Sequence, residues 1–185
     1  VSGLGNGVRR LSELNMILAA LLLVFVVLVG PTIFILNTFV QTTGYYLASL
    51  PTMSFWTETF NDNGWQNGWT VFYWGWWVSW SPFVGIFIAR ISRGRTVREF
   101  ILGVLLLPTA LTLLWMSAFG GTALSMELTE GATGIISAAV SENVATALFV
   151  MLQQLPLTGI TSFVGIILVV VFFVTSSDSG SLVVD

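Results

Sequence analysis

Four stretches of this chain, 14–57, 63–89, 100–126 and 143–177, carry no charged side chain. Each exceeds the roughly 20 residues that a helix needs to cross a hydrocarbon core about 30 Å thick. Hydrophobic residues make up 55% of the 185 and charged residues only 8%, a balance that an ordinary water-soluble domain with a polar surface does not show. The expected solvent is therefore the lipid bilayer, and the expected fold class is an all-α membrane protein. Val1 opens the chain without a Met, and Asp185 follows directly on an apolar run. Both ends read as cuts within a longer parent.

The simplest count is four spans, at about 15–40, 68–91, 98–119 and 157–175, in a single transmembrane region covering 1–185. Gly30-Pro31 is expected to kink the first span, because Pro removes a backbone donor and crowds the preceding turn. Segment 41–62 mixes Tyr45, Tyr46, Phe55, Trp56 and Phe60 with polar residues and suits an interfacial, external position. Segment 121–155 is also expected outside. Within it Ile135, Ala139, Ala147, Leu148, Met151 and Leu155 recur at helical spacing, interrupted by Ser137, Ser141, Glu142, Asn143 and Gln154, as in an amphipathic helix folded over the outer mouth.

All six basic residues are Arg and fall in two places, Arg9 with Arg10, and Arg90, Arg93, Arg95 and Arg98. Two expected spans separate the clusters, so both lie on one face, which the positive-inside rule makes cytoplasmic. Glu58, Asp62, Glu127, Glu130 and Glu142 then fall in the external connections and need no further role there; Asp185 needs none either. Asp178 is expected at the cytoplasmic end of the last span, solvated or paired. The arginines are topology determinants, with a regulatory contact to anionic lipid open at about 1 kcal/mol per residue.

There is no Cys, His or Lys. That excludes disulfides, thiolate or imidazole zinc sites, histidine-ligated haem and a lysine Schiff base within this chain. No acid–base pair, nucleophile–base pair or metal cluster is evident, so an enzyme is not expected, and neither is a cofactor. Four Arg in one short loop make a membrane flank and not a nucleic-acid face.

Five of the eight Trp residues lie between Trp69 and Trp80. Membrane tryptophans usually form a belt at the surface, and Trp69 fits that position. Trp80 stands ten residues before Arg90, which at about 1.5 Å per residue puts it roughly 15 Å from the cytoplasmic boundary, near the midplane. Tyr73, Trp76, Trp77 and Trp80 are related by three- and four-residue steps and share one helical face, while Gly75 and Ser79 form a small pair on another. Two readings stay open on this chemistry. The rings pack against other helices, or they line a cavity for a cation without hydrogen-bond donors, a quaternary ammonium group. Pro82 would loosen the backbone at Val78 within the stripe.

The run from Trp69 to Ile101, with its aromatic cluster, Ser81-Pro-Phe83 and Ala89-Arg-Ile-Ser-Arg-Gly-Arg95, resembles the signature span and loop of the betaine/carnitine/choline transporters. Asn15-Met16, Gly30-Pro31-Thr32, Phe119-Gly-Gly-Thr122, Gln153-Gln-Leu-Pro156 and Phe172-Phe-Val-Thr-Ser176 extend the likeness over nearly the whole chain. The resemblance implies a leucine-transporter-like inverted-repeat fold, of which this chain would hold the end of one repeat and the beginning of the next. It implies that Trp76, Trp77 and Trp80 surround a trimethylammonium group and that Phe72 closes over it from outside. It also implies a partial sodium site at Thr175, Ser176 and the Phe172 carbonyl, with Phe83 facing a second cation position. On residue chemistry alone, the better reading is that the two hydroxyls bond back to the carbonyls of Val171 and Phe172.

The function so implied is secondary active transport of a quaternary-ammonium or related compatible solute, of the glycine betaine, choline or carnitine type, coupled to sodium and serving osmoprotection in the cell (inner or plasma) membrane. Alternatives are a proton-coupled carrier or sodium-independent exchanger of the same family, or a non-transporting scaffold or channel subunit. A homotrimer follows from family likeness alone.

Overall fold

A computed structural model describes residues 4–128 and 134–184, with 4–6, 8, 91 and 178–184 described by backbone only. Glu130 and Asp185 lie outside the described residues, as does the side chain of Asp178. Among the described residues every regular element is helical: α1 (Leu4–Val29), α2 (Thr32–Ser54), α3 (Phe72–Ile91), α4 (Val97–Ile101), α5 (Leu107–Trp115), α6 (Gly121–Leu128), α7 (Ile135–Asn143), α8 (Ala147–Gln153) and α9 (Thr158–Val184). Wider π-helical turns at Gln66–Val71, Leu102–Leu106 and Met116–Gly120, and a 3₁₀ turn at Val144–Thr146, join several of them. In this way α4 to α6 form one continuous helical run, Val97–Leu128.

The chain divides into two compact units, Val1–Thr42 with Leu111–Asp185, and Thr43–Ala110. In the first, α1 lies along α9 and against the turn Met116–Gly120, while α8 also packs on α9. Ala19, Leu22 and Val26 follow one another at three- and four-residue steps on α1 and are buried against Met151, Leu152, Leu155 and Leu168. Leu23, Ile35 and Ala118 form a second buried cluster. Lipid tails are as apolar as these side chains, so in a bilayer such contacts stabilise by close packing and not by exclusion of water. Asn15 is buried too, and its Oδ1 meets no hydrogen-bond partner among the described residues.

The expected first span is two helices. α1 ends at Val29, where Pro31 offers no N–H and Gly30 sits in the break. The Gly30 amide still reaches Val26 O at 2.9 Å, and the Thr32 hydroxyl takes the Val27 carbonyl at 2.7 Å. A Cβ on Gly30 would stand 2.5 Å from Val26 O and 3.3 Å from Thr122 Oγ1. Thr122 is fully buried and donates to Ala118 O at 2.6 Å, while Gly121 lies against the Thr38 methyl. Two of the quoted motifs, Gly30-Pro31-Thr32 and Phe119-Gly-Gly-Thr122, thus meet in one close helix contact.

The helices long and apolar enough to cross a membrane are Arg9–Val29, Val97–Leu128, Ile135–Gln153 and Thr158–Ser177. Three coincide with expected spans, and the remaining place differs. The ring-bearing helix expected at 68–91 falls outside this set, since Trp and Tyr carry polar N–H and O–H groups that lower its apolar character. The stretch 135–153, expected outside, meets the composition criterion, but it is broken after Asn143, whose side chain accepts from the Ala145 amide at 3.0 Å. Its helices α7 and α8 have 9 and 7 residues, each well short of a crossing.

The unit Thr43–Ala110 contains the second half of α2, a loop, the π turn, α3 and the start of the Val97 helix. Arg93 and Arg95 lie in the turn after α3, which Gly94 closes with φ +80°. Thr96 and Glu99 then cap α4 reciprocally, Thr96 Oγ1 accepting from the Glu99 amide and Glu99 from the Thr96 amide. Two acids read from the sequence as needing no role in fact have one. Glu58 accepts from the Asn63, Trp65 and Gln66 amides, and Glu127 accepts from the Gly134 and Ile136 amides and the Ser137 hydroxyl. Both satisfy amides that a helix start leaves without intrahelical partners.

Candidate substrate and cation sites

The 3.6-residue period of α3 puts Tyr73, Trp76, Trp77, Trp80 and Val84 on one face, and together they line an open concavity of about 260 Å³. The volume is just below the range of drug-sized ligand sites, which begins near 300 Å³. No carboxylate lines it. What it presents is ring surface, whose negative faces attract a cation without needing to accept a hydrogen bond. The rings remain 40–66% exposed, so they are available to a ligand or to further helices.

The rings hold one another in a ladder. Trp65 stacks on Trp69 at 6.4 Å between centroids, Trp69 on Tyr73 at 5.9 Å and 10°, and Tyr73 meets Trp76 at 5.8 Å. Trp80 crosses Trp76 edge-on at 6.4 Å, and Phe83 crosses Trp80 at 5.4 Å. Trp56 meets the far end, edge-on to Trp65 at 5.1 Å. Offset and edge-to-face contacts of this kind favour a fixed arrangement of rings by about 0.5–1.5 kcal/mol per pair.

Pro82 leaves α3 unbroken. The Val78 carbonyl that it deprives of an amide is taken by the Ser81 hydroxyl at 2.9 Å, and Ser79 bonds back to Gly75 O at 2.8 Å. Hydroxyl compensation of this kind is how a membrane helix tolerates proline. Gly75 has open space around its Cβ position, so no described residue packs closely against the small pair Gly75 and Ser79.

The structure brings Trp76, Trp77 and Trp80 together as expected and adds two wall residues, Tyr73 and Val84. Tyr73 was already on the aromatic face in the sequence. Val84 completes the same three-and-four spacing and carries no other signal. Phe72 lies to the side, 6.1 Å from Trp76, in a separate shallow hollow with Val71 and Gly75. Phe83 ends the ladder through its contact with Trp80 and offers a cation only a ring face and a backbone carbonyl.

The hydroxyl pair lies on α9. Thr175 Oγ1 donates to the carbonyls of Val171 at 2.9 Å and Phe172 at 3.2 Å, the local bonding that Thr favours inside helices. Ser176 is exposed beside it. Two neutral hydroxyl oxygens on adjacent residues suit a hard cation such as sodium. The Phe172 carbonyl is more fully used, since it accepts the Thr175 hydroxyl and, inside α9, faces the amide four residues on. Among the described residues no group of three or more His, Cys, Asp or Glu could hold a metal ion.

The glycine betaine/proline/choline transporter of Vibrio parahaemolyticus is 55% identical over all of this chain and 32% of its own length. The glycine betaine transporter of Acinetobacter baylyi is 51% identical over 99% of the chain and 28% of its own length. The glycine betaine transporter OpuD of Bacillus subtilis is 49% identical over 98% of the chain and 35% of its own length. The chain thus spans about a third of the curated relatives it matches. The family model of the betaine/carnitine/choline transporters matches residues 1–185 throughout. With its long apolar helices, this chain is part of an integral membrane protein and belongs to the betaine/carnitine/choline transporter family.

Proposed function

We propose that this chain carries the ring-lined substrate wall of a secondary transporter for a quaternary-ammonium compatible solute of the glycine betaine, choline or carnitine type, acting in osmoprotection at the cell membrane. The observation that carries the reading is the concavity of Tyr73, Trp76, Trp77, Trp80 and Val84. A trimethylammonium group donates no hydrogen bond and gives up its hydration more easily than a primary amine does. Ring faces can therefore replace its water, at about 0.5–2 kcal/mol per well-placed ring. The same rings attract a primary ammonium as well but offer no acceptors for its N–H groups, so the hydrogen bonds it loses from water go unreplaced and the site selects by what it withholds. Their exposure leaves room for the opposite wall, supplied by the rest of the transporter. Relatives named for glycine betaine and choline support the substrate class.

Transport follows from exposing this wall alternately to the two sides of the bilayer, with the arginine-bearing flanks cytoplasmic. Sodium is the co-transported ion in this reading. The Thr175 and Ser176 hydroxyls, with the Phe172 carbonyl, contribute part of its shell, and the remaining oxygens come from elsewhere in the protein. The back-bonded Thr175 hydroxyl keeps a sodium-independent exchanger as the second reading.

The test is uptake of labelled glycine betaine, choline and carnitine by cells expressing the complete gene, with and without sodium, beside Trp77→Leu. Saturable uptake of one amine, lost in Trp77→Leu at equal membrane abundance, is the expected result. Absence of uptake and of saturable binding for all three refutes the trimethylammonium site, and uptake indifferent to sodium refutes the role of Thr175 and Ser176.

A further inference from the structure

Among the described residues of Thr43–Ala110, Glu58 is the one that is buried, at 7% exposure. An acid in that position calls for an explanation, because a buried carboxylate is costly unless its oxygens are satisfied. Its backbone makes the position stranger, with φ +54° in the left-handed region that disfavours a residue with a side chain. Strain of this kind persists where the surroundings over-determine it.

The reward is three backbone amides. Glu58 Oε1 accepts from Asn63 at 3.2 Å and Trp65 at 3.3 Å, and Oε2 accepts from Gln66 at 2.7 Å. These amides sit where the helix carrying the rings begins, and the Gln66 side chain closes the loop by donating to Trp56 O. From Trp65 the contacts run ring to ring through Trp69 to Tyr73, which is a wall of the concavity. The intervening turn Gln66–Val71 is π-helical, with wider and less regular bonding than an α-turn.

We propose that Glu58 is a positioning residue for the substrate site. Its carboxylate fixes the start of the ring-bearing helix, and through Trp65 and Trp69 it sets the azimuth of Tyr73 against Trp76 and Trp77. This rests on the reading of the concavity as a trimethylammonium site. The carboxylate does not attract the substrate by charge, because its oxygens are turned into the loop and occupied by amides.

The experiment is glycine betaine uptake by the full-length transporter carrying Glu58→Gln, Glu58→Asp or Glu58→Ala, at matched membrane abundance, with wild type and Trp77→Leu alongside. Glu58→Gln keeps the size but turns an NH₂ group toward backbone donors. It is expected to raise KM about tenfold, the scale of a lost charge-assisted hydrogen bond, while Vmax stays within about twofold. Glu58→Asp keeps the charge and should recover most of the loss, and Glu58→Ala should be at least as impaired as Glu58→Gln. An unchanged KM in Glu58→Gln beside a dead Trp77→Leu overturns the positioning role and leaves the substrate site standing. If wild type neither takes up nor binds a trimethylammonium solute, the site reading falls and the proposal with it. Should Glu58→Gln fail to reach the membrane, amide hydrogen exchange on wild type decides. Protection at Asn63, Trp65 and Gln66 is expected, and exchange there as fast as at Thr59 and Phe60 overturns the proposal.

Discussion

Where Val1–Thr42 with Leu111–Asp185 buries Val26, Ile35, Leu152 and Leu168, the segment Thr43–Ala110 has, among the described residues, one buried residue, Glu58. The first unit is shaped by apolar side chains from distant parts of the chain pressed together. The second is shaped by near neighbours, rings three and four residues apart and a loop folded onto one acid. A surface organised by local spacing stays in place while its far side is open, which suits a wall that must meet a solute. A surface organised by distant contacts is only as good as each approach, which makes it sensitive to a single added carbon.

Five substitutions would break or sharpen that contrast. The largest effect is expected at Trp77→Leu, which removes a wall ring that makes no ring–ring contact and leaves the ladder intact. Loss of about 2 kcal/mol of cation binding or more should lower uptake at low substrate roughly thirtyfold, read as a rise in KM at unchanged membrane abundance. Next is Gly30→Val, whose Cβ meets Val26 O and Thr122 Oγ1. A cost of about 1–3 kcal/mol for overpacking should appear as a lower thermal midpoint of the purified transporter. Gly75→Ala, in open space, should leave that midpoint nearly unchanged, and an equal loss at both positions would remove the contrast.

A smaller change is expected at Ser81→Ala, which strands the Val78 carbonyl beside Pro82. About 1 kcal/mol should show as faster amide exchange around Pro82, with little change in KM. Thr175→Ala tests the first unit's own site. If its hydroxyl is a sodium ligand, the sodium concentration for half-maximal uptake rises several-fold. If it serves only the helix carbonyls at 2.9 and 3.2 Å, the sodium response stays as it was.

Much of the candidate site was legible because it is built from one helix. Tyr73, Trp76, Trp77 and Trp80 needed only the 3.6-residue period to be placed together, and Val84 followed the same period unnoticed because a valine in an apolar span is ordinary. Phe72 is adjacent in sequence to Tyr73, but one residue is about 100° around a helix, and it faces another hollow. Glu58 read as one more external acid, since nothing in Trp56-Thr-Glu58 announces a positive φ or a carboxylate turned inward. Glu127 was overlooked in the same way. The break at Gly30-Pro31 was readable, whereas its partner Thr122 was not.

By itself, the sequence determined the solvent, the helical class and the aromatic face, because composition and local period act over a few residues and need no partner. The placement of the arginines sets an expectation for the orientation, through a rule about loops and not about packing. Only the tertiary structure decided that Gly30 must lack a side chain beside Thr122. It likewise decided that Glu58 caps the ring-bearing helix and that the Thr175 hydroxyl turns to its own helix. Each of these depends on distances between groups whose approach is set by the fold, at a scale of tenths of an ångström that residue order does not encode locally.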